Sequence, residues 1–379
     1  MFRNLIFSAI SVLGTLMQNN VPSQAMSNPT LSQKIGQMIM VGFHGDQPNS
    51  QEVIALKKEI TKGHVGGVVF FNYNIESPQQ IRKLTLALQA AIQDLPLLLA
   101  ADQEGGRVQR LPPSKGFMGF MAPQTVSQQN TPAQARLYYQ NMAKELHEAG
   151  FNLNLAPGVD LYSAQSPAIG GLSRSYSANP ALIVQYAQAF IEAHHKYGIL
   201  TCLKHYPGHG LAQKDSHLGM VDITDTHQDK ERTPFRELIQ SGHADMVMTA
   251  HLVHRNADNR YPSSLSPQML QNWLRNEDGF QGIVITDDLM MGAISKKFNL
   301  EEAVIQAILA GNDILLFSNN AASNPNEAKS TQDKAMTFPG RIIKIVQQAI
   351  EQEKIPLSRI EDSYQRIIRA KSQLHRKAA

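Results

Sequence analysis

From about residue 29 onward, short continuous runs of apolar and β-branched residues alternate with longer stretches of helical period. Eight runs stand out, at residues 38–43, 67–71, 97–101, 152–156, 200–204, 246–250, 283–286 and 314–317. A strand with one wet face alternates apolar and polar residues, whereas a strand covered on both faces is apolar throughout. These runs therefore predict parallel strands enclosed by helices. The stretches 132–148, 180–197 and 301–310 carry the helical period between them, with prolines at or near helix starts and Gly150, Gly198 and Gly311 just past the ends. Proline fits the first helical turn because it has no N–H to lose there, and glycine takes the left-handed conformation that closes the last turn.

Eight strands interleaved with helices predict an α/β chain forming a single (β/α)₈ barrel of the TIM type, with its chemistry at the C-terminal strand ends. An open, doubly wound sheet has the same periodicity, and the pattern alone leaves both architectures standing. The polar stretch from Ser318 to Met336 reads as a mobile loop after the last strand. Two further helical patterns between Gly340 and Leu374 would complete the outer ring, and no linker leads to a second strand-rich block.

The N-terminus has a different pattern: Arg3, then an apolar run from Leu5 to Met17, then Val21-Pro22-Ser23-Gln24-Ala25. This is the charged, apolar, small-residue order of a secretory signal, so residues 1–25 are expected to be a signal peptide and 26–379 the functional domain. The expected location is periplasmic or secreted, the alternatives being an uncleaved anchor or a cytoplasmic chain with an extended start. No later segment offers about twenty uninterrupted apolar residues, so no lasting membrane insertion is expected.

Composition narrows the functional classes. Of 379 residues, 42% are hydrophobic and 18% charged, which excludes a disordered or fibrous chain. The net charge is +3 with scattered basic residues, and a nucleic-acid partner would need a concentrated basic face. The single cysteine, Cys202, lies within an apolar run and reads as a buried structural thiol.

Polar residues collect immediately after the apolar runs. The third run leads into Asp102-Gln103-Glu104-Gly105-Gly106-Arg107-Val108-Gln109-Arg110. The fifth leads into Lys204-His205-Tyr206-Pro207-Gly208-His209-Gly210 and on to Asp215-Ser216-His217, the sixth ends at His251, and the seventh ends in Asp287-Asp288. In their order and spacing, the block 204–210, the block 215–217 and Asp287-Asp288-Leu289 resemble glycoside hydrolase family 3, in particular its β-N-acetylglucosaminidases of peptidoglycan turnover.

That resemblance covers nearly all of the chain after the signal and implies a retaining exo-β-N-acetylglucosaminidase. It makes Asp287 the nucleophile, a role that suits a carboxylate able to form and release a glycosyl ester. It makes His217 the general acid/base, oriented by Asp215. An imidazole with an ordinary pKa near 6.5 can give and take a proton at neutral pH, and it avoids a second anion beside the nucleophile. It assigns sugar binding to Asp102, Arg110, Arg174, Lys204 and His205. Asp288 reads instead as a capping residue. Gly208 and Gly210, with Pro207, are expected to let the following loop turn and run flexibly to His217, bringing it over bound sugar.

The expected partner is a glycan or muropeptide bearing N-acetylglucosamine, acted on by a monomer. No cofactor is expected. A metal site drawn from His205, His209, His217 and His251 lacks any H-E-x-x-H spacing. Other readings are a β-glucosidase or β-xylosidase of the same family, transfer to phosphate in place of water, and a cell-wall sugar-binding protein that kept the pocket.

Overall fold

The computed structural model describes residues 28–377 apart from 93–94, 217–218 and 321–337. The signal reading, His217 and most of the polar stretch after Ser318 lie outside the described residues. Within them, the eight apolar runs form strands β1 Ile39–Gly42, β2 Gly67–Phe70, β3 Leu98–Ala101, β4 Leu153–Asn154, β5 Leu200–Tyr206, β6 Met246–Thr249, β7 Ile283–Thr286 and β8 Leu315–Phe317.

Strands β1 to β7 lie side by side in chain order, β8 pairs with β1, and every one of these pairings is parallel. A parallel bridge between Ile285 and Ile314 joins β7 to the start of β8. There Ile314 N–H donates to Val284 O at 3.0 Å and Thr286 N–H to Ile314 O at 3.0 Å. The sheet is thus a nearly closed eight-stranded parallel barrel, which sets aside the open sheet that periodicity had allowed. All eight strands are buried along their length, as their unbroken apolar runs require.

The helices form the outer layer, and their ends follow the chemistry of the sequence. Helix Pro132–Ala149 begins with Thr131 and Gln134 in a reciprocal capping box and ends at Gly150 with φ 91°. Helix Pro180–His195 starts behind Asn179, whose side chain accepts from Ala181 N–H at 3.0 Å. Helix Leu300–Ala310 has a capping box of Asn299 and Glu302 and ends at Gly311 with φ 121°. Segment Gln268–Glu277 is a π-helix that buries Met269, Leu270 and Leu274.

Helices Phe338–Glu351 and Leu357–Lys377 complete the layer. The second is tied to the bottom of the barrel through the buried Asp313, which faces Arg275 at 2.7 Å, Arg359 at 3.1 Å and Arg366 at 3.2 Å. Cys202 is buried within β5, where desolvation pushes its thiol far above the ordinary range. Among the described residues no helix is long and apolar enough to cross a membrane.

Candidate active site

Asp102 stands at the C-terminal end of β3, where the chain doubles back in a short hairpin of Gln103–Gly105 and Val108–Gln109. The turn needs Gly105 and Gly106, at φ 99° and 62°, because a side chain at Gly106 would collide with Ala122. Asn154 at the end of β4 holds the backbone of Gln103 through both amide atoms, each at 3.0 Å. The Gln103 side chain then accepts from Arg110 N–H at 2.8 Å, which returns Arg110 to Asp102.

The result is a continuous polar wall. Arg110 donates to Asp102 Oδ2 at 3.0 Å while its guanidinium lies over the Phe71 ring at 5.2 Å. Lys204, buried at the end of β5, places Nζ 2.8 Å from Asp102 Oδ1 and 2.7 Å from Glu104 Oε1. Glu104 in turn takes a two-pronged contact from Arg174, at 2.9 and 2.7 Å. Arg174 NH2 reaches His205 Nε2 at 3.4 Å, and His205 Nδ1 pairs with Asp160 Oδ2 at 2.7 Å. Three carboxylates therefore meet three permanent cations in one chain of contacts, which is how buried charges are made tolerable.

The electrostatics follow from that pairing. Burial raises the Asp102 carboxyl, but the charges of Lys204 and Arg110 outweigh it and hold the group at about 2. Burial likewise opposes ionisation of Glu104, and Arg174 and Lys204 overcome it, so Glu104 stays well below the usual carboxylate range. Desolvation pulls the Lys204 amine down, yet Asp102 and Glu104 bring it above its ordinary value. Asp160 is lowered despite its burial because His205 and His209 face it.

Asp287 sits at the tip of β7. Its N–H donates to Thr249 O of β6 at 2.9 Å, and its Oδ1 accepts from Asp288 N–H at 2.8 Å. In a parallel barrel the ends of β3, β5 and β7 open on one face, so Asp287 shares the mouth with Asp102 and Lys204. Beyond the dominant effect of burial, the Cys202 thiol feels both Asp102 and Asp287. Asp288 points elsewhere: its Oδ1 accepts from Met290 N–H at 3.0 Å and Ser318 N–H at 2.9 Å, tying the turn after β7 to the end of β8.

Asp215 is half-buried, and the neighbouring Ser216 is buried. His217 lies outside the described residues. His251 has its ring nitrogens against Ser264 Oγ at 2.7 Å and Asp288 O at 2.9 Å. Among the described residues no group of three or more His, Cys, Asp or Glu is placed to hold a metal ion.

Glycines 208 and 210 also answer to local geometry. Gly208 adopts φ 130°, and a Cβ on Gly210 would lie 2.1 Å from the carbonyl oxygen of Leu161. The loop is buried from Pro207 to Gly210, and among the described residues it is most exposed at Gln213 and Lys214. Gly210 is there for close packing of two backbones.

Two residues of the wall, Glu104 and Asp160, were given no role by the sequence, and His209 was weighed there only as a metal ligand. Glu104 stood inside the quoted stretch after β3 but read as one more charge in it. Asp160 follows the fourth run and obeys the same rule that charge collects at strand ends, so that rule could have found it.

These features define an α/β barrel with a charge-lined mouth at its C-terminal face. Residues 30–370 match the model of the glycosyl hydrolase family 3 N terminal domain, and the chain belongs to glycosyl hydrolase family 3. It is 32% identical to beta-hexosaminidase A of Pseudoalteromonas piscicida over 92% of this chain and 62% of that protein. It is 35% identical to a beta-hexosaminidase of Pseudomonas aeruginosa over 73% of this chain and 82% of the relative. Among solved structures it resembles a glycoside hydrolase family 3 beta-N-acetylglucosaminidase from Paenibacillus, with TM-score 0.82, 31% identity and coverage of 93% of this chain and 64% of that one. A beta-N-acetylhexosaminidase from Beutenbergia cavernae gives TM-score 0.78 and 27% identity over 91% and 99% of the two chains. The chain thus spans 62% of the first relative's length and nearly all of the Beutenbergia one.

Proposed function

We propose that the chain is a retaining exo-β-N-acetylglucosaminidase that removes terminal β-linked N-acetylglucosamine from muropeptides or related glycans. The observation that carries the reading is the Asp102 carboxylate gripped by Lys204 and Arg110 in the mouth onto which the tip of β7 presents Asp287. A sugar is recognised by fixed donors and acceptors around its hydroxyls. The wall supplies both, with Asp102 accepting and Arg110, Arg174, Lys204 and His205 donating.

In this reading Asp287 attacks the anomeric carbon as the bond from that carbon to the leaving oxygen breaks, and His217 gives the leaving oxygen its proton. The same imidazole then takes a proton from water, whose oxygen bonds to the anomeric carbon and releases Asp287. Asp215 holds the ring's orientation and stabilises its protonated form. The beta-hexosaminidase and beta-N-acetylglucosaminidase relatives support the choice of sugar.

The test is turnover of 4-nitrophenyl N-acetyl-β-glucosaminide against the matching glucoside, followed by trapping with a fluorinated inactivator. The N-acetyl substrate should be strongly preferred, the product should keep the β configuration, and the label should sit on Asp287. Asp287→Ala should lower turnover by several orders of magnitude. Preference for the glucoside, inverted product or a label elsewhere would defeat the proposal.

A further inference from the structure

His209 is a buried histidine to which the mechanism gives no task. His209 follows the Pro207-Gly208 turn after β5 and is 3% exposed. Its N–H donates to Asp160 Oδ1 at 2.7 Å, the oxygen that also accepts the N–H of His205 at 3.2 Å. Its carbonyl accepts from Ala212 N–H at 3.3 Å and from Ser166 Oγ at 3.4 Å. Its ring meets that of His205 edge-on, with centroids 5.9 Å apart. Ring Nε2 pairs with the Ser216 hydroxyl at 3.1 Å, and Nδ1 is buried with no partner among the described residues.

Asp160 therefore holds two histidines at once. His205 belongs to the polar wall, and His209 reaches across to Ser216, which stands in the chain between Asp215 and His217. The intervening Gln213 and Lys214 are exposed, and Gln213 donates to Gln165 Oε1 at 3.2 Å. A bare ring nitrogen is better left as a lone pair than as a stranded N–H, which makes Nε2–H the donor to Ser216.

We propose that His209 is a positioning residue for the acid/base pair: through the Ser216 hydroxyl it anchors the chain next to Asp215 to the His205 side of the wall that holds the sugar. The inference rests on the roles given above to Asp215 and His217. General acid catalysis needs the donor within about 3 Å of the leaving oxygen, and a displacement of roughly 1 Å can remove about 100-fold in rate. Loss of the tether should thus weaken proton donation while leaving the sugar wall in place.

The experiment compares aryl N-acetyl-β-glucosaminides with a poor leaving group, phenol, and a good one, 2,4-dinitrophenol, which leaves without help. Ser216→Ala and His209→Leu should each lower kcat/KM on the phenyl substrate about tenfold and on the dinitrophenyl substrate less than about twofold. His209→Gln, which keeps an N–H near the place of Nε2, should recover most of the loss. In a His217→Ala background Ser216→Ala should add no further loss, since coupled residues act as one. Equal losses on both substrates, or no loss on either, for Ser216→Ala would overturn the inference. Should His217→Ala itself fail to discriminate between leaving groups, the acid/base assignment falls and takes this inference with it. Should it discriminate while Ser216→Ala does not, only the tether is wrong.

Discussion

Lys204 shows how much one side chain can carry. It bridges Asp102 and Glu104 at 2.8 and 2.7 Å and is almost completely buried. Replacing it with glutamine keeps the volume but leaves two buried carboxylates with one cation fewer, a change that commonly destabilises by about 3–5 kcal/mol. The Asp102 carboxyl, held at about 2 chiefly by Lys204 against the opposing effect of burial, should then rise. A depressed carboxyl contributes stability that is present above its unfolded value near 4 and lost as pH falls through the folded value. In the wild type that loss runs from about pH 4 down to about 2; in Lys204→Gln the folded value lies nearer the unfolded one, so less stability is there to lose, and the acid limb of kcat/KM should move to higher pH. A pH–rate profile checks this, and an unmoved acid limb would mean that Asp102 owes its ionisation to something else.

At the scale of elements, the loop after β5 is set by two backbones in contact. Gly210→Ala would drive a methyl group to 2.1 Å from Leu161 O, so one of the two loops must shift. We expect a destabilisation of about 1–3 kcal/mol, read as a fall in thermal midpoint, with activity lost in proportion to the misplaced loop. A midpoint equal to wild type would show that the loops part easily. The same scale explains what could be read from the sequence. The eight strands were legible because burial on both faces makes each an unbroken apolar run, and 283–286 was found with its bounds correct. The helix starts and stops were legible where a proline opened the first turn or a left-handed glycine closed the last, as at Pro132 and Gly150; the capping side chain of Thr131 was not. The hairpin Gln103–Gly105 with Val108–Gln109 was not, since strands so short and polar carry no period. Pairing of Val221–Asp222 with Leu252–Val253 brings together residues 31 apart and left no local trace. Asp102, Lys204 and Asp287 were legible as charges at strand ends. Glu104, Asp160 and His209 bind other protein groups, and partnership of that kind is set by the closed barrel, beyond the reach of local pattern.

The whole molecule is closed from below by its last helix, and there one buried amine should leave a signature in stability. Lys371 is fully buried, and its Nζ donates to Gln37 Oε1 and Gly66 O, each at 2.7 Å, with no carboxylate within ion-pair distance among the described residues. Desolvation pulls the amine down to about 7, whereas the unfolded chain keeps an ordinary value near 10.4. Below pH 7 both states are protonated and the penalty for burying charge is felt in full. Between about 7 and 10 the unfolded state binds the extra proton, so stability rises with pH at a slope of at most about 1.4 kcal/mol per unit. Lys371→Met removes the ionisation but strands two acceptors, so its stability relative to wild type at pH 6 combines opposing effects. The pH dependence of the difference is cleaner: relative to wild type, the variant should lose stability steadily from pH 7 to 10. Urea titrations of both proteins across that window give the difference directly. A difference that stays flat would mean that the two carbonyl acceptors hold the amine charged throughout, and that the last helix is fastened to the barrel by an ammonium instead of a neutral amine.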